Sequence, residues 1–360
     1  MRQNDQTLEV DSIVVGQGLA GTILAHDLLE NNCSIAIIDK SELSQASKVA
    51  AGIWNPVVFK RLTQSWMIDE LLPVLKDRYE NIARKLEANT FLFPKRYFKI
   101  ITSEEEESFW EKKANSEMKT YLSNSTFEDQ RIGQKVGEVF EAGHLDIHRF
   151  LMESRSYFQK NAILLNQEFT FEQFEFDKNQ IKYKNILARN IIFCEGHRIH
   201  KNPYFKFIPF KPVKGEVITL KCENLNTDAI LNKGVFILPL PEKNHYKVGA
   251  TYDWDNLDDR PSEKGINSLL EKMKSIHNYP YEIVKKEAGV RPSILDRRPV
   301  IGEHPIHKNL WVFNGLGTKG VMLAPYFSNQ ITKAILKQEE ISPSVHISRF
   351  FMDFKKHKDC

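Results

Sequence analysis

Cysteine is scarce and irregularly placed in this 360-residue chain: Cys33, Cys194, Cys222 and Cys360 form no Cys-x-x-Cys pair. That spacing offers neither a disulfide framework nor a zinc site, so the thiols are expected to be reduced. Long apolar runs are missing as well. No window approaches ~18 uninterrupted apolar residues, and MRQNDQTLEVD has no apolar segment behind its charge, so neither a membrane span nor a signal peptide is expected. The cytoplasm is the expected location. Charge of one sign is not in excess, since 50 Lys+Arg against 47 Asp+Glu leave +3. So small a surplus favours neither a nucleic-acid nor a membrane partner. Internal repeats and low-complexity linkers are also lacking.

What is present is an ordinary globular composition, 41% hydrophobic and 27% charged, which suits an enzyme acting on a small molecule. The length exceeds the ~250–300 residues at which single cores stop growing, so two domains are expected. DSIVV, the helical pattern from Leu19 to Glu30 and SIAIID form a βαβ unit, which starts a parallel sheet. QASKVAAGIWNP is expected to be an extended loop, and Met67 to Leu86 a helix. Ser103 before four glutamates reads as a solvated helix start, and Asp146 as the cap of a further helix. AILLNQEFTF is expected as a strand, FEFD and QIKYKN as strands around DKNQ, and ARNIIFCEG as a buried strand ending in glycine. From Pro209 to Asp253 the alternation in GEVITLKC, AILN, VFILPL and YKVGATY predicts a mostly antiparallel sheet. A last helix is expected over Gly320 to Lys337, followed by a basic, loose tail, FKKHKDC.

Within the first unit VVGQGLAG places Gly16, Gly18 and Gly21 at GxGxxG spacing, with Leu19 and Ala20 between them. Gly16 permits the strand-to-helix turn, Gly18 lets backbone approach a pyrophosphate, and Gly21 allows helix to pack on strand. The helix N-terminus then offers N–H groups to phosphate. Asp39, 23 residues after Gly16 at the end of the second strand, suits ribose hydroxyls and opposes a 2′-phosphate. These residues favour NAD or FAD over NADP and do not choose between the two.

Five ordered pieces make the choice, because together they resemble the D-amino acid oxidase and glycine oxidase family of FAD-dependent oxidoreductases. That family includes sarcosine oxidases and the oxidase domain of a tRNA-modifying enzyme. The pieces are GQGLAG with IIDK, ASKVAAGIWNP, NQEFTF, NIIFCEGHR, and AGVRPSILDRRPVIGEHP followed by NLWVFNGLGTKGVMLAP. The resemblance implies a Rossmann-like FAD-binding domain interleaved with a β-rich substrate domain. The implied boundaries are 1–62, 140–205 and 286–345 for the first, 63–139 and 206–285 for the second, and 346–360 for the tail.

By the same resemblance FAD would be held by Gly16, Gly18, Leu19, Ala20, Gly21, Asp39 and Lys40, with Arg291 also counted among the residues at the cofactor. Ser47, Ala50, Ala51 and Gly52 would pass beside the flavin ring. Phe169 would offer backbone to the adenine, and Gly196 would lie by the diphosphate. Gly315, Gly317, Thr318, Lys319 and Gly320 would bring a second helix N-terminus to the flavin's pyrimidine end, where its dipole stabilises negative charge. Position 289 is glycine where covalently flavinylated relatives carry cysteine, which implies non-covalent FAD.

The implied activity is oxidation of the C–N bond of a small amino acid or secondary amine by hydride transfer to flavin N5, with oxygen or another acceptor reoxidising the flavin. Arg291 would bind the substrate carboxylate through its planar fork, the competing reading being a structural pair with Asp296. Lys247 would assist oxygen reduction, unless it merely faces solvent from its strand. Arg61 faces either flavin or solvent, and His197 reads as structural. Alternatives are a tRNA-modification oxidase, which AAGIWNP also resembles, and a flavoprotein without amine turnover; a homo-oligomer is compatible with all three.

Overall fold

A computed structural model of the protein describes residues 7–40, 46–177, 180–352 and 354. The βαβ start is present. Strands β1 (Leu8–Val15) and β2 (Ile35–Ile38) run parallel, with α1 (Leu19–Glu30) between them, and Val15 pairs with Ile38. All of β2 and the last four residues of β1 are buried, which explains apolar runs without alternation. Parallel pairing continues to Leu164–Leu165 beyond β2, and through Ile186–Phe193 to Leu310–Asn314 beyond β1. The Ile181–Tyr183 and Phe174–Phe176 strands close one edge antiparallel; Lys178 and Asn179 of the DKNQ turn lie outside the described residues.

Two local expectations are corrected. Of AILLNQEFTF, only Leu164–Leu165 forms a strand. The chain then leaves the sheet edge, where Phe169 stacks on Tyr183 at 4.7 Å and Phe171 on Phe193 at 6.1 Å, which half-buries both rings. Of QASKVAAGIWNP, Gln45 lies outside the described residues, and the rest contains a one-turn helix, α2 (Ala46–Val49), so it is not wholly extended. Its small residues let that turn approach strand Glu282–Arg291, where a Cβ on Gly289 would lie 3.2 Å from the Ala46 Cα.

The helix expected over Met67 to Leu86 is α3 (Ile68–Lys85). It belongs to the region grouped with the substrate domain, yet it packs on the nucleotide side: Arg78 pairs with Asp27 of α1 at 2.6 Å. At α4 (Glu104–Ala114) the Ser103 hydroxyl accepts the Glu106 N–H, and at α5 (Ile147–Lys160) the Asp146 carboxylate accepts the Arg149 N–H, so both caps form as expected.

The second sheet has eight strands among the described residues. It runs in the order Glu282–Arg291, Val213–Lys221, His245–Gly249, Phe236–Pro239, Ile230–Asn232, Tyr97–Ile100, Gln134–Val139, Phe127–Asp129. Every neighbouring pair is antiparallel except Ile230–Asn232 with Tyr97–Ile100. Helix α6 (Glu263–Lys274) covers part of this sheet, and α7 (Gly320–Ile335) returns to lie beside α1 and α3, where the Tyr79 hydroxyl donates to the Val321 carbonyl at 3.1 Å.

The start of the tail is not loose. Phe354 packs edge-on against Phe207 at 4.9 Å, because an aromatic ring gains more against that core than in water. Residues 355–360 lie outside the described residues. No helix among the described residues is long and apolar enough to cross a membrane.

Candidate cofactor and substrate site

Gly16 is pinned where three parallel strands end. Its N–H donates to the Ile38 carbonyl at 2.9 Å, and the Cys194 N–H donates to the Val15 carbonyl at 2.8 Å. Its φ is +97°, and a Cβ would lie 2.6 Å from the Cys194 carbonyl oxygen. Gly21 presses α1 onto this turn so closely that a Cβ would meet the Gly16 oxygen at 1.9 Å. Gly18 differs, because its Cβ would meet only the Ser47 hydroxyl at 3.5 Å. It is therefore the glycine that leaves room for another molecule. The first turn of α1 carries no acidic side chain, so its positive end is free to attract an anion.

The Asp39 carboxylate accepts the Gln17 N–H at 2.9 Å and meets the Arg155 guanidinium at 2.8 Å. Arg155 also donates to the Gln17 side chain at 2.6 Å and to Asn166 at 2.8 Å. Nothing in the sequence pointed to Arg155, which sits on α5, 116 residues away from Asp39. It holds the acid as an acceptor at the end of β2.

The second glycine turn is tied to the glycine that follows strand Ile186–Phe193 through Asn314, whose side-chain amide donates to the Gly196 carbonyl at 3.0 Å and whose oxygen accepts the Gly315 N–H at 2.8 Å. Gly315 and Gly317 have φ of +77° and +54°. A Cβ on Gly320 would lie 3.4 Å from Leu19, so the N-termini of α1 and α7 stand side by side. Both open on a cavity of about 620 Å³ with walls from both sheets. Every expected cofactor residue lines it except Gly21 and Gly315, which shape the turns from behind. Two adjacent helix N-termini, an open glycine and an acceptor carboxylate suit a dinucleotide whose second ring system extends toward the second sheet.

A family model described as FAD dependent oxidoreductase matches residues 11–334. The chain belongs to this family. Its cofactor is FAD, and the glycine cradle fits that group. A glycine oxidase of Pseudomonas putida is 31% identical over 139 residues, 37% of this chain and 37% of that enzyme. The tRNA 5-methylaminomethyl-2-thiouridine biosynthesis bifunctional protein MnmC of Leptospira interrogans is 23% identical over 91% of this chain and 57% of its own length. Glycine oxidase from Geobacillus kaustophilus superposes with a TM-score of 0.77 at 20% identity, covering 92% of this chain and 96% of that one, which establishes a shared fold.

In this oxidoreductase Arg291 ends its strand with the guanidinium laid flat on Gly215, where a Cβ would be 2.0 Å from Nη2. The Tyr252 ring lies 4.8 Å away on the fork, and Nη1 donates to the Thr251 carbonyl at 3.2 Å. Asp296 is engaged elsewhere, with the Arg298 N–H at 3.1 Å and Arg349 at 3.5 Å. Among the described residues no carboxylate lies within 4 Å of the Arg291 guanidinium, and burial lowers its pKa.

Lys319 is another cation on the cavity wall. Its ammonium donates to the Ser65 hydroxyl, and burial lowers its pKa to about 8. Lys247 does not line the cavity. Its ammonium reaches the Val49 carbonyl at 3.1 Å from behind α2 and faces Glu287 at 3.7 Å. Arg61 is exposed, whereas His197 lines the cavity and is kept neutral by burial, its pKa lowered to about 4.

Sequence reasoning passed over Glu195, the residue before Gly196. It lines the cavity, its Cα lies 3.6 Å from where a Gly16 Cβ would be, and its carboxyl accepts from Asn202 at 2.8 Å. Burial pushes its pKa up to about 7, against the Asn202 hydrogen bond and the Arg198 charge. A folded-state pKa raised from 4.5 stabilises the fold below 4.5, and that contribution disappears as pH rises through 7. Glu195→Gln is therefore expected to gain stability over wild type between pH 5 and 8, by on the order of 3 kcal/mol. Thermal midpoints of the flavin-loaded proteins across that range check it; parallel curves would refute it.

Proposed function

We propose that this oxidoreductase oxidises the C–N bond of a small carboxylated amine, an amino acid or an N-substituted one, with oxygen as one acceptor for the electrons. The observation that carries the reading is the half-buried guanidinium of Arg291 on the cavity wall, which no carboxylate among the described residues meets. A planar fork with unused donors binds both oxygens of a carboxylate and fixes the amine's orientation. FAD supplies the two-electron acceptor when bound. The chain then contributes position: Gly215 and Tyr252 hold the fork in its plane on the wall that the second sheet gives the cavity. Loss of a hydride, two electrons with one proton, turns the neutral amine into an iminium cation, which water hydrolyses to the carbonyl acid and the free amine. Lys319 supplies positive charge inside the cavity, and Lys247 steadies Val49 from outside it. The name of the Pseudomonas relative agrees with this substrate class. In this reading FAD is held non-covalently and the enzyme works in the cytoplasm.

The experiment is an anaerobic screen of amino acids and N-methyl amino acids for bleaching of the flavin, followed by peroxide detection in air. At least one carboxylated amine is expected to bleach it; if none does, this substrate class is abandoned. The match to the Leptospira protein favours tRNA modification as the second reading. Salt-dependent tRNA binding would support it, because RNA affinity rests on phosphate contacts.

A further inference from the structure

The strand Val213–Lys221 separates two tasks by its alternation. Gly215 and Val217 line the cavity, while Lys214 and Glu216 face away and are almost fully buried. On that far side Lys214 Nζ meets Asp258 at 2.6 Å and Glu216 at 3.4 Å, and the Ser262 hydroxyl donates to Glu216 at 2.9 Å. The start of α6 presses so closely on this carboxylate that a Cβ on Gly265 would lie 2.0 Å from its Oε2.

Asp258 and Ser262 belong to the segment 251–262, which leaves the sheet after strand His245–Gly249 and returns as α6. Its other limb is tied to the same two residues through backbone. Lys214 N–H donates to Asp253 O at 2.8 Å and Asp253 N–H to Lys214 O at 3.0 Å. Thr251 N–H donates to Glu216 O at 3.2 Å, and Glu216 N–H donates to the Thr251 hydroxyl at 2.8 Å. Tyr252, whose ring covers Arg291, sits between those fixed residues.

We infer that Lys214 and Glu216 are positioning residues for the carboxylate anchor, latching segment 251–262 so that Thr251 and Tyr252 hold the Arg291 fork against Gly215. A buried lysine is costly to desolvate, and an apolar pair of similar volume would serve stability as well. The ion network instead fixes both limbs of one loop, and an anchor for a planar carboxylate needs its donors held to about 0.5 Å. The inference rests on the proposed role of Arg291.

The test uses flavin-loaded protein, acetate as the probe read by flavin absorbance, and amide hydrogen exchange of residues 251–262. The Asp258 side chain is largely exposed, so Asp258→Asn leaves the core intact. The variant is expected to bind acetate about tenfold more weakly and to exchange the Thr251 and Asp253 amides faster, with flavin content unchanged; Asp258→Glu restores both. The sign discriminates, because removing a negative charge would by electrostatics alone tighten acetate binding. Tighter or equal binding, or weaker binding with unchanged exchange, overturns the latch. Arg291→Lys is measured in parallel. Acetate binding insensitive to that change would refute the anchor itself, and the exchange rates alone would then decide the latch, unchanged rates overturning it.

Discussion

Replacing Arg291 by alanine is expected to raise the KM for the carboxylated amine about a hundredfold and to weaken acetate binding similarly, with flavin content unchanged. Two charge-assisted hydrogen bonds are lost, each worth ~1.5–3 kcal/mol, and part of that is recovered by water entering the vacated space. No acidic side chain among the described residues is left unpaired by the change, because none lies within 4 Å of the guanidinium. Arg291→Lys should fall between the two, since it keeps the charge and loses the planar fork. Steady-state kinetics that separate KM from kcat, with flavin absorbance per chain, provide the check. An equal loss of flavin would assign Arg291 a structural role.

Gly21→Ala is expected to abolish flavin retention and to destabilise the flavin-free chain by about 3 kcal/mol. The added methyl would stand 1.9 Å from the Gly16 carbonyl oxygen, backbone against backbone, so α1 must lift away from β1. That movement spoils the helix N-terminus and the Gly16 turn together. Gly18→Ala provides the contrast. Its φ of −75° is open to any residue, and the nearest atom is the Ser47 hydroxyl at 3.5 Å. The flavin-free chain should keep its thermal midpoint while FAD affinity falls, because the methyl occupies space facing the cavity. Flavin fluorescence titration and thermal melts of both apoproteins distinguish the cases. Equal melting losses would show that Gly18 serves packing rather than the cofactor.

Much of the nucleotide side was legible because its signals are local. The turn from Gly16 to Gly21, the acid Asp39 and the cap Asp146 each act within a few residues of chain or at one strand end, as does the cap Ser103 on the other side of the molecule. The departures arose where distant packing overrode local pattern. NQEFTF has strand-like residues, yet its rings turn inward onto Tyr183 and Phe193. The small residues of ASKVA tolerate either a loop or a helical turn, and the approach to Gly289 selects the turn.

The substrate side was far less legible. Lys247 carries the same strand pattern whether it faces the cavity or, as here, the back of Val49. Glu195 gave no signal beside its glycine, and the Lys214, Asp258 and Glu216 cluster is spread over 44 residues of chain.

By itself the sequence determined that a phosphate-binding strand–turn–helix opens the chain, that a second glycine turn answers it near the far end, and that a β-rich region lies between. Glycine geometry and strand periodicity are properties of neighbouring residues, so they survive in one dimension. Only the tertiary structure decided that the Arg291 fork meets the cavity with no carboxylate of the described residues beside it, which acid is held by Arg155, and which buried charges fasten the loop over Arg291. Those outcomes depend on burial and on distances between segments brought together by folding.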